Sequence, residues 1–406
     1  MPPSRAGSNS FLFISQVFVP DPASVGQHIA DAAAELVQRG HHVTVLTSAR
    51  GYDDPSQRYL RRECIHGIDV IRLPLSSFGK GTIGSRMLGG IAFVLLSIVR
   101  GVALGRIDCV VVSTSPPIAA MAGVVLAALK RARLKYWIMD LNPDQIVALG
   151  KRSAKAVSVR MLDWLNRLIL RRADDVIVLD RFMAERVHRK SSKIKRLHVI
   201  PPWPLEDVLS AVPHSSNWWR RQQGLRDEVV VMYSGNHGPS NPLAAILSAA
   251  ARLVDVPGLL FYFVGGGIGK REVDATNLPN VRSLPYQPLE TLAYSLSAAD
   301  VHVVTLGDHL VGIVHPCKVY GAMAVARPVL AFGPEQSHLG DLISRNDIGW
   351  RLSNDDVDGA EHLLRQIRQM GDEARAARGR RANTMIVEEL SKDRLCGALC
   401  DVFVLP

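Results

Sequence analysis

Val230-Val231-Met232-Tyr233-Ser234-Gly235-Asn236-His237-Gly238-Pro239-Ser240-Asn241-Pro242 (230–242) decides how the rest of this chain is read. The apolar run predicts a strand buried on both faces, and two glycines then mark a tight turn. Asn241 and Pro242 have the chemistry of an N-cap and a first helical residue, which predicts a helix over 243–253. Strand, small-residue loop and helix start, in that order, aim backbone N–H groups and a positive helix end at one point. Phosphate is the natural guest there, although an ordinary strand-to-helix turn has the same signature.

The 406 residues suffice for two domains, each with its own core, and 47% apolar against 21% charged residues excludes a disordered chain. The formal charge of +10 is unevenly placed. Residues 1–205 carry 29 Lys/Arg against 15 Asp/Glu, whereas 206–406 carry 19 against 23. Within 151–196 there are 14 basic and 5 acidic residues, a patch that attracts anionic lipid or phosphorylated substrates. No recognition-helix, zinc or RNP-type signature accompanies it, so nucleic acid is the weakest partner. Five cysteines without a CxxC pair make no disulfide framework, and Cys396 and Cys400, one helical turn apart, read as core packing. That usage predicts a reducing, cytoplasmic setting, and no signal peptide is apparent at the N-terminus. Residues 87–104 are the most membrane-like stretch, but their uncharged part is too short to span a bilayer, leaving a buried helix or one resting on lipid.

Apolar strands alternate with helices along the chain: 11–15, 42–47, 68–73, 108–113, 134–139, 175–179 and 197–200 read as strands of a first parallel sheet. Pro201-Pro202-Trp203-Pro204 interrupts the alternation. It restarts with strands over 229–233, 259–264, 281–284, 300–305 and 328–332. The expected fold is α/β, with two facing Rossmann-like parallel-sheet domains and an interdomain cleft. The first spans 1–204 and the second 205–385. Residues 386–406 form a C-terminal helix that can pack back on the first domain. Ligands of such sheets sit at the carboxyl ends of strands, so candidate residues follow strand ends.

Gly265 and Gly267, in Val264-Gly265-Gly266-Gly267-Ile268-Gly269-Lys270, fit neither a dinucleotide fingerprint nor a P-loop and read as a backbone turn near a nucleotide. Lys318 opens a helix, where a cation is disfavoured unless an anion shares the site, so it is the candidate phosphate ligand, with Val319 beside it. Asp140, Asn142 and Asp144 follow a strand and suit sugar hydroxyls or a base role, against the plainer reading of an Asx-turn before Pro143. Gly26, Gln27 and His28 stand at the first strand-to-helix turn. The acidic pairs Asp53/Asp54 and Asp174/Asp175 read as solvated surface, and no metal site is expected.

The blocks "RGHHVTVLTS" (39–48), "STSPP" (113–117), "DLNPD" (140–144), "YSGNHG" (233–238), "FVGGG" (263–267), "LPYQP" (284–288), "AADVHVVTL" (298–306) and "PCKVYGAMAVARPVL" (316–330) together resemble the family-4-type GT-B glycosyltransferases. The similarity is to the subgroup associated with bacterial exopolysaccharide and O-antigen assembly. It implies retention of anomeric configuration and a nucleotide-diphosphate-sugar donor, held mainly by the second domain, with no metal or cofactor. It also implies a lipid-linked saccharide acceptor and a peripheral site on the inner face of the cytoplasmic membrane. Under it Asp140 and Lys318 are the catalytic candidates. Gly235, Asn236, His237, Gly238, Gly265, Gly267, Tyr286, Gln287 and Val319 would line the donor; Gly26, Gln27, His28, Asn142 and Asp144 the acceptor. Two glutamates common in that family are replaced by Ile313 and Gly321, and a basic pair by Asn236 and His237. A nucleotide-sugar epimerase of the same fold and a non-catalytic nucleotide-sugar binder are the alternatives.

Overall fold

The computed structural model describes residues 7–21, 23–51, 54, 56–74, 83–204 and 209–406, with the backbone alone at 83–86. Pro22 and Asp53 lie outside them. The chain divides into two compact units, Met1–Pro201 with Asp393–Pro406, and Pro202–Lys392.

Unit 1 runs β1 (Ser10–Ile14), α1 (Ser24–Gln38), β2 (His42–Ser48), β3 (Arg62–Ile65), β4 (Ile68–Leu73), α2 (Ile83–Ala103), β5 (Cys109–Ser113), α3 (Ala119–Lys130) and β6 (Arg133–Trp137). It continues through α4 (Asp144–Ala148), α5 (Val157–Arg172), β7 (Asp175–Val178), α6 (Arg181–Lys190) and β8 (Leu197–Val199). The sheet order is β3-β4-β2-β1-β5-β6-β7-β8. All neighbours are parallel except β3, which pairs antiparallel with β4. Strands β5 and β7 are buried at every position, as a sheet covered on both faces requires. The strand order reverses between β1 and β5, where the Gln16 amide donates to the Ser115 carbonyl at 2.7 Å.

Unit 2 runs α7 (Trp218–Gln222), β9 (Val229–Ser234), α8 (Ala244–Arg252), β10 (Leu259–Val264), α9 (Lys270–Ala275), β11 (Val281–Leu284), α10 (Leu292–Ser297) and β12 (Val301–Thr305). Then come α11 (Lys318–Ala324), β13 (Val329–Phe332), α12 (His338–Asn346), β14 (Gly349–Leu352), α13 (Val357–Gln369) and α14 (Asp372–Glu388). The sheet order β11-β10-β9-β12-β13-β14 is wholly parallel and reverses at β9 and β12. The short edge strand β14 was not expected from the sequence.

The last helix, α15 (Lys392–Val404), packs in unit 1: Phe403 meets the rings of Phe13 and Trp137 edge-on, and Arg39 pairs with Asp401 at 2.6 Å. Cys396 and Cys400 are both buried there. Beneath its end, Asp175 is far from the solvated surface residue its sequence suggests. Lys135 and Asp175 are register partners on β6 and β7 and form a fully buried ion pair at 2.5 Å. Burial alone would raise the Asp175 carboxyl. Hydrogen bonds from Lys135, His198 and Arg196 outweigh that and hold it below the usual carboxylate range. Lys135 also donates to the Leu405 carbonyl, so this cluster ties the chain terminus to the sheet. Asp175→Ala strands an ammonium in the interior and is expected to cost about 3–5 kcal/mol, read from the urea midpoint of the full chain. Lys135→Met/Asp175→Leu, which removes both charges, is expected to be milder.

Candidate active site

The carboxyl end of β9 and the turn after β10 are built into one another. Gly235 and Gly265 have φ of 130° and 132°, and a Cβ on Gly265 would stand 2.1 Å from the Gly235 carbonyl oxygen. Gly267, at φ 120°, leaves no room for a Cβ against the Asn236 side chain, only 2.3 Å away. Glycine here permits a strained backbone and lets two turns touch. The His237 amide donates to the Gly266 carbonyl at 2.7 Å, and the Gly269 amide to the His237 carbonyl at 2.8 Å. The amides of Gly235 and Gly265 are likewise spent, on Val264 and Leu284. Those of Asn236, Gly238, Gly266 and Gly267 donate to no protein atom among the described residues. We expect Gly265→Val to abolish donor binding in a calorimetric titration and to lower the melting temperature.

Lys318 comes to this turn from the first position of α11. Its aliphatic stem lies on Gly235, where an added Cβ would be 2.7 Å from Cε. The ammonium donates to Asn241 Oδ1 at 3.2 Å and stands 5.5 Å from the centre of the Tyr233 ring. Burial lowers its pKa to about 8. Asn241 therefore serves this lysine and does not cap a helix. Helix α8 begins at Ala244 with Leu243 at its N-cap and no side-chain bond, and Pro242 lies outside it. The chain turns once more at Pro239 and Ser240 before the helix can start.

His237 is buried beneath the turn, its ring edge-on to Tyr233, and its Nε2 has no hydrogen-bond partner among the described residues. Desolvation lowers its pKa, so it stands there as a neutral imidazole. Tyr286 is exposed and lies across Gly266, to which an added Cβ would approach within 3.0 Å of Cε2. The Gln287 side chain is engaged internally, accepting from Trp219 Nε1 at 3.0 Å. Lys270 is also occupied, donating to Ser283 and to the Leu284 carbonyl. Val319 is fully buried and its amide donates to the Pro316 carbonyl. Ile313 is buried and Gly321 faces Leu296, so neither position brings a carboxylate to the turn. A network the sequence did not reveal adjoins α11: the Tyr320 hydroxyl lies 2.7 Å from His315 Nε2 and 2.9 Å from His338 Nε2.

In unit 1, Asp140 follows β6, and its amide donates to Thr114 Oγ1 at 3.3 Å. Desolvation raises its carboxyl pKa to about 6. No charged partner opposes that shift, which leaves a carboxylate poised near neutrality. Thr114 was missed by sequence reasoning, because only the β5–β6 neighbourhood brings it to Asp140. Asp144 is not a free acceptor-side carboxylate: Lys190 holds it at 2.7 Å while also pairing with Asp163. The Asn142 carbonyl accepts from Asn166 Nδ2. Gly26, Gln27 and His28 lie inside α1, which starts at Ser24, and not in the turn that precedes it. A Cβ on Gly26 would meet the Phe18 backbone at 3.0 Å, and His28 Nδ1 lies 2.7 Å from the Ser24 carbonyl.

Comparison with known proteins agrees with these two sheets. Residues 24–203 match the glycosyl transferase 4-like domain. The chain is 26% identical over 266 residues to the probable glycosyltransferase WbjE of Pseudomonas aeruginosa, a match spanning 64% of this chain and 66% of WbjE. It is 26% identical over 342 residues to the putative colanic acid biosynthesis glycosyl transferase WcaI of Escherichia coli K12, spanning 80% and 83%. Unit 1 thus carries a glycosyl transferase 4-like domain, and the chain as a whole is similar to the family-4-type GT-B glycosyltransferases. Its fold is that of Anabaena HepE solved with UDP and glucose, with a TM-score of 0.72 at 15% identity over 97% of this chain and 99% of that one.

Proposed function

We propose that the chain transfers a hexosyl group, with retention, from a nucleoside-diphosphate sugar to a lipid-linked saccharide in cell-surface polysaccharide assembly, without metal or cofactor. The observation that carries this is Lys318 lying on Gly235 at the end of β9, beside turns whose amides of Asn236, Gly238, Gly266 and Gly267 remain available. β9 and β12 flank the topological switch point of the unit 2 sheet, the place where such sheets bind ligands. As the bond from the anomeric carbon to the leaving phosphate breaks, negative charge grows on the diphosphate. An ammonium and fixed amides stabilise that charge more than they stabilise the bound donor, which lowers the barrier.

The polysaccharide role rests on WcaI, whose name places it in colanic acid biosynthesis. The donor class rests on HepE, solved with UDP and glucose. Asp140 is the group assigned to the acceptor hydroxyl or the reacting sugar, since its carboxylate is largely ionised at pH 7. Tyr286 beside Gly266 is assigned to the nucleoside. No helix among the described residues is long and apolar enough to cross a membrane. The meeting with a lipid-linked acceptor is assigned to a surface contact.

The test is to incubate the protein in EDTA with radiolabelled UDP-, GDP- and dTDP-sugars, with and without lipid-linked saccharides. Label moving into the lipid fraction only when acceptor is present supports the reading. Epimerised donor without acceptor contradicts it.

A further inference from the structure

Helix α2 is half uncovered. Gly90, Phe93, Ser97 and Gly101 form its buried side, and a Cβ on Gly101 would meet Leu126 of α3 at 2.4 Å. Lys130 of α3 fixes its end by donating to the Val102 and Leu104 carbonyls. The opposite side carries Met87, Leu88, Ile91, Leu95, Val99 and Val102 in the open, with Leu88 66% and Val99 70% exposed. The spacing of four residues makes these one continuous stripe along the helix. A stripe of this length on a water-facing helix calls for an occupant.

Helix α5 also packs on α3 and adds Val157, Met161 and Trp164, the tryptophan 62% exposed. Right-handed crossovers from β4 to β5, β5 to β6 and β6 to β7 run in one direction along the sheet, so α2, α3 and α5 share one of its faces. The exposed cations around these helices, Arg100, Lys151, Arg152, Arg160 and Arg171, form no ion pair among the described residues. No Asp or Glu occurs between Val70 and Ile107, and in α5 the single acid, Asp163, is taken by Arg167 and Lys190.

We infer that α2 and α5 form a membrane-contact face, the apolar stripe of α2 and Trp164 entering the headgroup–acyl boundary of an anionic bilayer while the surrounding cations meet its phosphates. This rests on the proposed lipid-linked acceptor and names the surface on which the enzyme would find it. Apolar side chains beside an aromatic anchor and unpaired cations are the composition of an interfacial helix. A second copy of the chain is disfavoured as occupant, because it would press the same positive charge against this one.

The full-length protein is sedimented with vesicles of phosphatidylcholine alone or with 30% phosphatidylglycerol, in low and high salt. We expect pelleting with the anionic vesicles, weakened by salt. Leu95→Glu/Val99→Glu should reduce the partition at least ~10-fold, since each leucine-sized side chain kept out of hydrocarbon costs about that factor. Arg100→Glu/Arg160→Glu should remove the salt-sensitive part. These positions are solvent-exposed, so both variants should melt as the parent does and turn over a water-soluble short-chain acceptor, while failing on a bilayer-embedded one. Undiminished pelleting of the leucine–valine variant overturns the inference. So does a parent that elutes as a dimer and a variant that elutes as a monomer. Absence of turnover on either acceptor would count against the proposed reaction alone, because vesicle binding is read without it.

Discussion

Replacing Lys318 by alanine is expected to lower turnover by two or more orders of magnitude while leaving the melting temperature close to that of the parent. Removing one preorganised donor from a site of developing negative charge typically costs roughly 3–4 kcal/mol of barrier. The stem of Lys318 rests on a glycine at the rim of the β9 turn and its ammonium makes one side-chain hydrogen bond, to Asn241, so little of the fold depends on it. Lys318→Arg keeps the charge but forces a broader planar head into a space sized for a slim stem, and should recover only part of the loss. The lowered pKa adds a second signature. Lys318 is protonated below about pH 8 and neutral above it, so donor affinity should fall as pH rises through that value. Steady-state rates and pH profiles on saturating acceptor check both. A Lys318→Ala enzyme with unchanged turnover would remove this residue from the reaction.

Asp140→Asn is the second large effect. Its carboxylate titrates near pH 6 because burial disfavours the charge and no cation opposes that. The group is therefore ionised at pH 7 and lost as pH falls below about 6. If it receives the acceptor proton or faces the positive charge of the reacting sugar, the asparagine variant should lose about 10²–10⁴ in kcat, the range spanned by general acid–base groups. The acid limb of the parent's pH profile, near 6, should disappear with it. A variant that keeps that limb would assign it to another residue. With both groups in play the parent profile is a bell whose limbs lie near 6 and 8.

Much of this is legible in the sequence, and the gaps have physical causes. The β9 turn was visible because an apolar run followed by glycines admits few other conformations. Lys318 was visible because a cation at a helix start is anomalous. Its seat on Gly235 was not, since nothing local links Asn241 to a residue 77 positions away. Asn241 has the chemistry of a cap, but capping depends on where the preceding backbone goes, and here it turns at Pro239 and Ser240 first. Strand β3 alternates exposed and half-buried residues at a sheet edge, so its sequence lacks the apolar run that marked its neighbours. Asp175 read as surface because it follows another aspartate. It is buried because β6 sets Lys135 opposite it, a consequence of register that composition cannot show. The sequence of 87–104 suits a buried helix or one resting on lipid alike, and only packing on α3 shows which side of α2 is uncovered.

The measurement closest to the central claim is a calorimetric titration of UDP, GDP and dTDP into the parent and Lys318→Ala chains, in EDTA, at pH 7 and pH 9.5. Metal-free binding of one diphosphate by the parent at pH 7, weakened at least ~10-fold by alanine or by the higher pH, is the predicted result, one charged hydrogen bond being worth about that factor. Equal affinity in both chains at both pH values, or binding restored only by a divalent cation, would contradict a diphosphate held by Lys318 and the two glycine turns.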